Sequence, residues 1–408
     1  MNTGIKQSFS GYYQVKVIDA TTNVVVWESG LNKNLILNQG MDALYSTNIA
    51  NLTICAVAGG GTRDNRVDGL TSEITQSGNK AFLNKRTGLG MEDFTSSHQT
   101  YAARVQAGDI IKYANNSESM VTTVTDGYNL VLNTNYTFTA GQTFVVWKTS
   151  QVGLETEVKR AGGGITNTSY VTGAGNCDTT TLSNTRTWRR TYDFVTEVGS
   201  VTYNELGVAW ATSAANTVFS RIVLGSSIII DTGFKLRMIY DLVGTFTPAS
   251  EIYTTASIGG WPVSPSTNQI GSESLQNFLT STIDTNGNTS GDPILDPASL
   301  TPLLFASPNS ASLSAFGSAV DRSTNVGVTS GAMTKAAYVA NSYYIDKTAI
   351  LPIGQANRTD LKSIGMGSSN PAGAASTVIA FKFNQSQSKN SSQTLSLTYR
   401  SSWARTLA

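Results

Sequence analysis

The sequence predicts an all-β protein, in which a β-sandwich carries an inserted, small β-barrel-like module and is followed by a second β-rich domain. Short runs of apolar or alternating residues, rich in β-branched and aromatic side chains, recur along most of the chain. Clusters of Gly, Asn, Asp, Ser and Thr separate these runs and predict turns. Charged residues make up 13% of the chain, about half of the roughly 25% usual in globular proteins, which favours a polar, weakly charged β surface.

The length of the chain predicts more than one structural unit, because 408 residues are about two to three times the size of one ordinary domain. We predict a main β-sandwich over residues 1–250, with the small module inserted over 105–148. Pro, Ser and Asn are abundant over 251–310, which indicates loops or a linker. A C-terminal β domain is expected over 311–408.

The first strands are predicted from alternation and turn residues. Residues 11–19 and 23–28 read as a β-hairpin joined by a short polar turn. Residues 52–57 read as a buried strand that runs into the triple glycine at 59–61. These glycines lack a following Gly-Lys-Ser/Thr, so we interpret them as a turn rather than as a phosphate-binding loop.

One short helix is predicted over residues 38–47, where it would close one end of the sandwich. Asn38 is a suitable N-cap, and Met41, Leu44 and Tyr45 follow at helical spacing. The polar residues that follow Tyr45 predict the end of this helix.

The inserted module is predicted from turn residues that recur at nearly regular spacing. Turn pairs such as Asn115-Asn116 and Asp126-Gly127 divide residues 105–148 into four or five short strands. The main domain then resumes with a strand in which alternate residues share one face: Trp188, Arg190, Tyr192 and Phe194.

Residues 201–246 contain the clearest strand signals in the chain. Segments 202–210, 218–230 and 234–243 are apolar or alternating, and short turns separate them. We predict that consecutive strands pair antiparallel as a meander. The third strand should bury one face, made of Leu236, Met238 and Tyr240.

Four stretches in this first part of the chain resemble a known group of proteins. They are NELG at 204–207, FSRI at 219–222, NKNLILNQGMDALYST at 32–47 and LTICAVAGGGT at 52–62. Together they resemble tail and fibre-type virion proteins of tailed bacteriophages, over roughly the first 250 residues.

The resemblance implies a structural component of a tailed-phage virion, in the tail, neck, baseplate or fibre attachment. It implies assembly with other virion proteins, as a homo-oligomer that is trimeric or of higher rotational symmetry, since symmetric closure covers exposed strand edges. Such a protein is assembled in the host cytoplasm and ends in the virion. A host-surface glycan-binding module of the virion is the alternative function, and a polysaccharide-degrading enzyme is the third.

Charge and hydropathy argue against two classes of partner. The formal net charge is +1 and no cluster of Lys and Arg occurs, so we expect no nucleic-acid binding. No window approaches about 18 consecutive apolar residues, and the N-terminal residues lack the pattern of a signal peptide. We therefore expect no membrane span.

Catalytic residue types are scarce, so we predict that the protein is not an enzyme and needs no cofactor. His98 is the sole histidine, and its polar surroundings favour an exposed loop rather than a catalytic base. Cys55 and Cys177 are expected to be free thiols, because a protein assembled in a reducing cytoplasm keeps its cysteines reduced. Charged residues near Asp68 and Glu73 indicate local ion pairs at the surface.

Two weak binding sites can be named from residue type alone. Oxygen-bearing side chains alternate in a loop that resembles a calcium site without matching an EF-hand, and a polar turn is the alternative. These residues are Asp284, Asn286, Asn288 and Asp292. Tyr253 and Trp261 lie among polar residues, where an aromatic ring could stack on a sugar.

Near the end of the chain, the spacing of apolar residues resembles that of the 201–246 segment. The alternation at 395–399 matches that at 236–240, and Ile364-Gly365-Met366 matches Leu206-Gly207-Val208. An internal repeat predicts that residues 364–399 form a second meander with Leu395, Leu397 and Tyr399 facing a core. Independent strands that share a common alternation are the alternative.

Overall fold

A computed structural model of the chain describes residues 5–44, 52–62, 65–71, 73–77, 80–84, 94–95, 105–113, 115–127, 129–134, 143–162, 185–211, 217–247, 254–258, 261–263, 265–269, 302–307, 328–330, 333–354, 357–368 and 376–407. Over these residues the protein is all-β, with several sheets and one short helix, which confirms the predicted fold class.

The elements are numbered here in chain order. The strands of the first half are β1 (Ile5–Asp19), β2 (Val25–Glu28), β3 (Asn32–Ile36), β4 (Cys55–Gly59), β5 (Arg66–Thr71), β6 (Glu73–Ser77), β7 (Lys80–Asn84), β8 (Ile110–Tyr113), β9 (Glu118–Val124), β10 (Asn129–Leu132), β11 (Thr143–Trp147), β12 (Glu157–Gly162) and β13 (Thr185–Asp193), and the helix is α1 (Asn38–Ala43). Those of the second half are β14 (Val201–Ala209), β15 (Val218–Ile230), β16 (Phe234–Thr247), β17 (Thr254–Ile258), β18 (Trp261–Val263), β19 (Pro265–Gln269), β20 (Pro302–Ser307), β21 (Val328–Ser330), β22 (Met333–Lys335), β23 (Tyr344–Leu351), β24 (Arg358–Ser368), β25 (Ser376–Lys389) and β26 (Leu395–Arg405).

Among the described residues, strand β1 is the centre of the largest sheet, which has 14 strands. Along one edge, β1 pairs antiparallel with β16 over nearly its whole length. Three strands share its other edge in succession: β26 lies parallel to residues 5–9, β3 antiparallel to 11–13 and β2 antiparallel to 16–18. The first strand of the chain therefore holds together segments that are far apart in the sequence.

The two halves of this sheet face each other across one hydrophobic core, as predicted for a sandwich. One half contains β13, β16 and β1, and the other contains β4, β14 and β15, while β3 pairs with both β1 and β15 and so connects the halves. The shared core includes Phe9, Tyr13, Val15 and Val17 from β1, Leu236, Met238 and Tyr240 from β16, Ala56 and Ala58 from β4, Tyr203, Leu206 and Val208 from β14, and Phe219, Ile228 and Ile230 from β15. The predicted buried face of β16 is thus confirmed.

The predicted meander is only half right. Strands β14 and β15 pair antiparallel, but β16 leaves β15 and pairs with β1 and β13 instead. The turn between β15 and β16 contains Gly233, which has a φ of +87° and lets the chain cross from one half of the sandwich to the other. A short polar turn predicts a hairpin, but such a turn also joins strands that lie in opposite halves of a sandwich, as at residues 231–233.

The region of the predicted module forms a seven-stranded sheet with its own core. Its strand order is β5-β11-β8-β9-β10-β7-β6, so it takes in strands from residues 66–84 as well as from 105–148. Its core contains Phe94, Val105, Ile111, Tyr113, Val121, Leu130, Leu132, Phe144 and Val146. No pair among the described strands closes this sheet into a barrel, so the barrel-like closure stays a prediction, as do the domain boundaries.

Helix α1 begins at the predicted residue, but its cap and its last residue differ from the prediction. It covers Asn38–Ala43, and its N-cap position is Leu37, which makes no side-chain cap hydrogen bond. Met41 and Leu44 are buried as predicted, whereas Tyr45 to Thr47 lie outside the described residues. Asn38 is not the cap because its side chain is engaged with other segments, described below.

The pairing of the last three strands, β24 to β26, has one feature in common with that of β14 to β16. β24 and β25 pair antiparallel, as β14 and β15 do, and the third strand, β26, again pairs with β1 rather than with the strand before it. β26 also pairs with β17 and β23. Leu395 is buried, whereas the side chains of Leu397 and Tyr399 lie outside the described part of the structure. The second predicted meander is therefore wrong in its pairing, and the repeat itself stays a prediction.

Candidate functional site

The two strand motifs that carry the resemblance meet in a buried ion pair. Glu205 of NELG lies on β14 and Arg221 of FSRI lies on the neighbouring strand β15. Arg221 Nε donates to Glu205 Oε2 at 2.9 Å, and both side chains are 0% exposed. A charge that is removed from water needs such a partner, and further hydrogen bonds must occupy its remaining polar atoms.

The carboxylate of Glu205 takes its further hydrogen bonds from the backbone. Gly61 N and Thr156 N donate to Oε1, and Glu155 N donates to Oε2, at 2.9–3.1 Å. Gly59 and Gly61 allow this approach, because a Cβ atom on either would lie within 2.7 Å of Glu205 Oε1. The glycine-rich turn is therefore the binding loop for an internal carboxylate, which agrees with the prediction of a turn rather than a phosphate site.

Arg221 also reaches the segments that flank the seven-stranded sheet. Its Nη1 donates to Asn65 Oδ1 at 3.0 Å and to Gln151 Oε1 at 2.9 Å. Asn65 Nδ2 returns a hydrogen bond to the carbonyl oxygen of Arg221, and the carbonyl of Asn65 accepts one from Lys148 N. The guanidinium thus ties β15 to residues on both sides of the insertion.

A second buried ion pair lies at the base of that sheet. Lys148 Nζ is 2.5 Å from Asp109 Oδ2, and both side chains are 0% exposed. Asp109 also accepts from Ser150 Oγ and from Gln106 N. Burial raises the pKa of Asp109, while Lys148 and these hydrogen bonds act in the opposite direction. The pair joins the start of β8 to the end of β11.

The start of α1 connects this base to the last strand. Asn38 Nδ2 donates to the carbonyl of Gly108 at 2.6 Å, and Asn38 Oδ1 accepts from Arg405 and from Tyr343 Oη. Arg405 Nη1 donates to the carbonyl of Ile36 at 2.6 Å. Burial lowers the pKa of Arg405, although an arginine remains charged at ordinary pH. Asn38 is thereby held by contacts on both sides instead of capping the helix.

These residues form one continuous buried assembly, which we call the junction network. It consists of Asn38, Asn65, Asp109, Lys148, Glu205, Arg221 and Arg405. The network joins the β14–β15 pair, the base of the seven-stranded sheet, the helix and the last strand. A fully hydrogen-bonded polar network fixes the geometry of the segments that it joins.

The two motifs are visible in the sequence, but the sequence alone does not show that Glu205 and Arg221 are partners. The available signal was a Glu and an Arg, each among apolar or small residues, in two strands that were predicted to pair. Asp109, Lys148 and Arg405 gave no such local signal, because their partners lie in distant segments.

The candidate sites named from the sequence fall mostly outside the described residues. This holds for His98, for Tyr253, for Cys177 and for the metal-site residues Asp284, Asn286, Asn288 and Asp292. Trp261 begins β18, and its backbone is paired with Ile258, but its side chain is not described. Cys55 is a buried free thiol. The surface ion pairs expected around Asp68 and Glu73 stay a prediction.

The described residues contain neither a metal-binding cluster nor a membrane-spanning helix. In these parts of the chain, no group of three or more His, Cys, Asp and Glu side chains is placed to hold a metal ion. Nor does any helix among them have the length and apolar character needed to cross a membrane.

Comparison with protein-family models, with curated proteins and with solved structures finds no match for this chain.

Proposed function

We propose that this chain is a structural component of a tailed-phage virion and acts through protein–protein assembly rather than catalysis. The observation that carries the proposal is the burial of Glu205 and Arg221, the charged residues of the two motifs behind the resemblance. Their polar atoms are directed at other segments of the same chain. Residues used in this way maintain a shape, which is the task of a structural part.

The surroundings of Glu205 support a structural role over a chemical one. A catalytic carboxylate must reach a substrate, whereas both oxygens of Glu205 already accept hydrogen bonds from the backbone and from Arg221. The junction network also sets how the seven-stranded sheet is held on the sandwich. A fixed arrangement of this kind suits a part that must present the same surfaces in every copy of a particle.

The proposed partners are other virion proteins and further copies of this chain around a particle axis. Assembly would take place in the host cytoplasm, before the particle is released. The weakly charged composition supports packing against protein surfaces rather than attraction to nucleic acid.

The proposal can be tested on phage particles that are purified from a bacterial lysate by density-gradient centrifugation. Mass spectrometry should find the 43.3 kDa chain in the particle band, in constant ratio to the major particle protein. Particles made without the gene should be incomplete, and Glu205→Ala should fail to restore them. The matched control is Asp360→Ala, which removes a carboxylate that is 46% exposed and should restore them. Complete, infectious particles that lack this chain would contradict the proposal.

A further inference from the structure

One hairpin of the sandwich exposes a cluster of apolar side chains. The hairpin patch consists of Val24, Val25, Val26, Trp27 and Leu31, whose exposed fractions are 58%, 41%, 54%, 46% and 57%. Together they expose roughly 500 Å² of surface, which is within the range of apolar patches that are often functional on a monomer. All residues of β2 are exposed, so neither face of this strand is covered.

The outer edge of β2 has no neighbour among the described strands. β2 pairs with β1 on one side only, through Lys16↔Glu28, Val17↔Trp27 and Ile18↔Val25. An edge strand with apolar side chains favours association with another strand. The bulge at Val26 and the short length of β2 restrict such an association to one contact, which does not extend into a fibre.

We infer that the hairpin patch is a contact between two copies of this chain, in which two β2 strands lie antiparallel about a two-fold axis. An axis between Val25 and Val26 places Val24 of one copy opposite Trp27 of the other, and pairs of β-branched and aromatic residues stabilise sheets. The same patch serves on both copies, as a two-fold contact requires.

The charges around the patch favour a second copy over a charged partner. Lys16 and Glu28 form an ion pair at 2.9 Å at its border, so these two charges compensate each other. The third charge of the border, Asp19, accepts hydrogen bonds from the backbone N–H groups of Thr21 and Thr22. In the antiparallel arrangement Glu28 lies opposite Asn23, and no two like charges face each other. The formal net charge of the chain is +1, so two copies repel each other little.

The surface area fits a weak, closed dimer. Two patches together expose roughly 1,000 Å², and edge pairing covers part of this area, so the contact belongs among the weak interfaces below about 1,200 Å². The contact is separate from any ring around a particle axis, and it does not depend on the virion function proposed above.

Light scattering on the purified, full-length chain tests this contact. Wild type should have about twice the monomer mass of 43.3 kDa at micromolar concentration, and Val26→Glu should be monomeric. The control is Val339→Glu, which adds the same charge at another exposed valine and should leave the dimer intact. Val339→Glu should keep the unfolding midpoint of the wild type. Val26→Glu should lose only the concentration-dependent stability that dimerisation adds, because both side chains are exposed in the monomer.

Two results would overturn the inference. One is a wild-type chain that stays monomeric under these conditions, and the other is a Val26→Glu variant that remains a dimer. Chemical cross-linking supplies an independent check, since Lys16 lies at the border of the contact. Peptides that contain Lys16 should be joined between copies in wild type and not in Val26→Glu.

Discussion

Arg221 donates to Glu205 across neighbouring strands at 2.9 Å, and neither side chain has any exposed surface. Removal of either partner leaves a buried charge without its counter-ion, which typically lowers the free energy of unfolding by about 3–5 kcal/mol. We expect Arg221→Ala to show a loss of this size in urea denaturation. Arg358→Ala is the control, because its ion pair with Asp360 is 42% and 46% exposed and should contribute less than about 1 kcal/mol.

The double variant Glu205→Ala/Arg221→Ala distinguishes a coupled pair from two independent residues. Because each single variant already breaks the pair, the double variant should lose clearly less than the sum of the two single losses. Losses that add would show that the two residues are not coupled.

The last strand should be as important to the main core as the central strands. Trp403 is 2% exposed, belongs to the shared core, and donates from Nε1 to the carbonyl of Met41 at 2.7 Å. It also stacks on Tyr338, with 5.7 Å between the ring centroids. We expect Trp403→Ala to lower the free energy of unfolding of the main sandwich by about 3–5 kcal/mol. Near-UV circular dichroism and urea unfolding measure this loss.

Trp27→Ala is the matched control for that substitution, because Trp27 is 46% exposed. It should change the stability of the monomer by much less than Trp403→Ala does. Equal losses in the two variants, or no loss in Trp403→Ala, would contradict the placement of the last strand against the main core.

Local patterns predicted the elements of this fold, and distant contacts decided how they are arranged. Alternation alone identified the buried face of β16, because side chains two residues apart must share a face of a strand. It could not identify β1 as the partner of β16, since the strands are separated by about 220 residues and any alternating strand satisfies the same pattern. The meander was predicted because short turns usually join neighbouring strands.

The candidate site was predictable only in part, for a similar reason. The glycine turn at 59–61 was expected. Its contact with the carboxylate of Glu205, however, depends on a strand that begins some 140 residues later. Asn38 satisfies the local rule for an N-cap, yet Gly108 and Arg405 engage its side chain. Local propensity favours one capping hydrogen bond, whereas tertiary contacts provide three, the third from Tyr343 Oη.

Close backbone approach at Gly11 gives a prediction about packing. A Cβ atom at this position would lie 2.0 Å from Asn34 Oδ1 and 2.9 Å from Tyr240 Oη, where β1, β3 and β16 meet. Gly11→Ala should therefore lower the free energy of unfolding by about 1–3 kcal/mol, as overpacking of a core does. Thermal or urea unfolding measures the change.

Gly30 supplies the control for that variant, because a Cβ atom there would meet nothing within 4 Å. Gly30→Ala should be neutral, or stabilising by up to about 1 kcal/mol through the unfolded state. A Gly11→Ala protein that is as stable as Gly30→Ala would show that β1 and β3 lie farther apart than described.

Acid should weaken one ion cluster on the outer face of the sheet. Arg237 donates to both carboxylate oxygens of Asp193, at 2.5 and 2.7 Å, and Lys235 Nζ lies 3.2 Å away. These hydrogen bonds, with that from Arg237 the largest, hold the pKa of Asp193 below its ordinary value of 3.8. The stability that they supply is therefore complete above about pH 4 and is lost as the pH falls through the lower, folded pKa.

The variant Asp193→Asn removes this titration, so it should be less stable than wild type near pH 7, and the difference should shrink below about pH 4. Urea midpoints measured across this range test the expectation. The stability difference between Arg237→Met and wild type should show the same pH dependence. This variant removes the donor that lowers the pKa of Asp193. A stability difference that stays constant from neutral pH to acid would show that Asp193 is not ion-paired in solution.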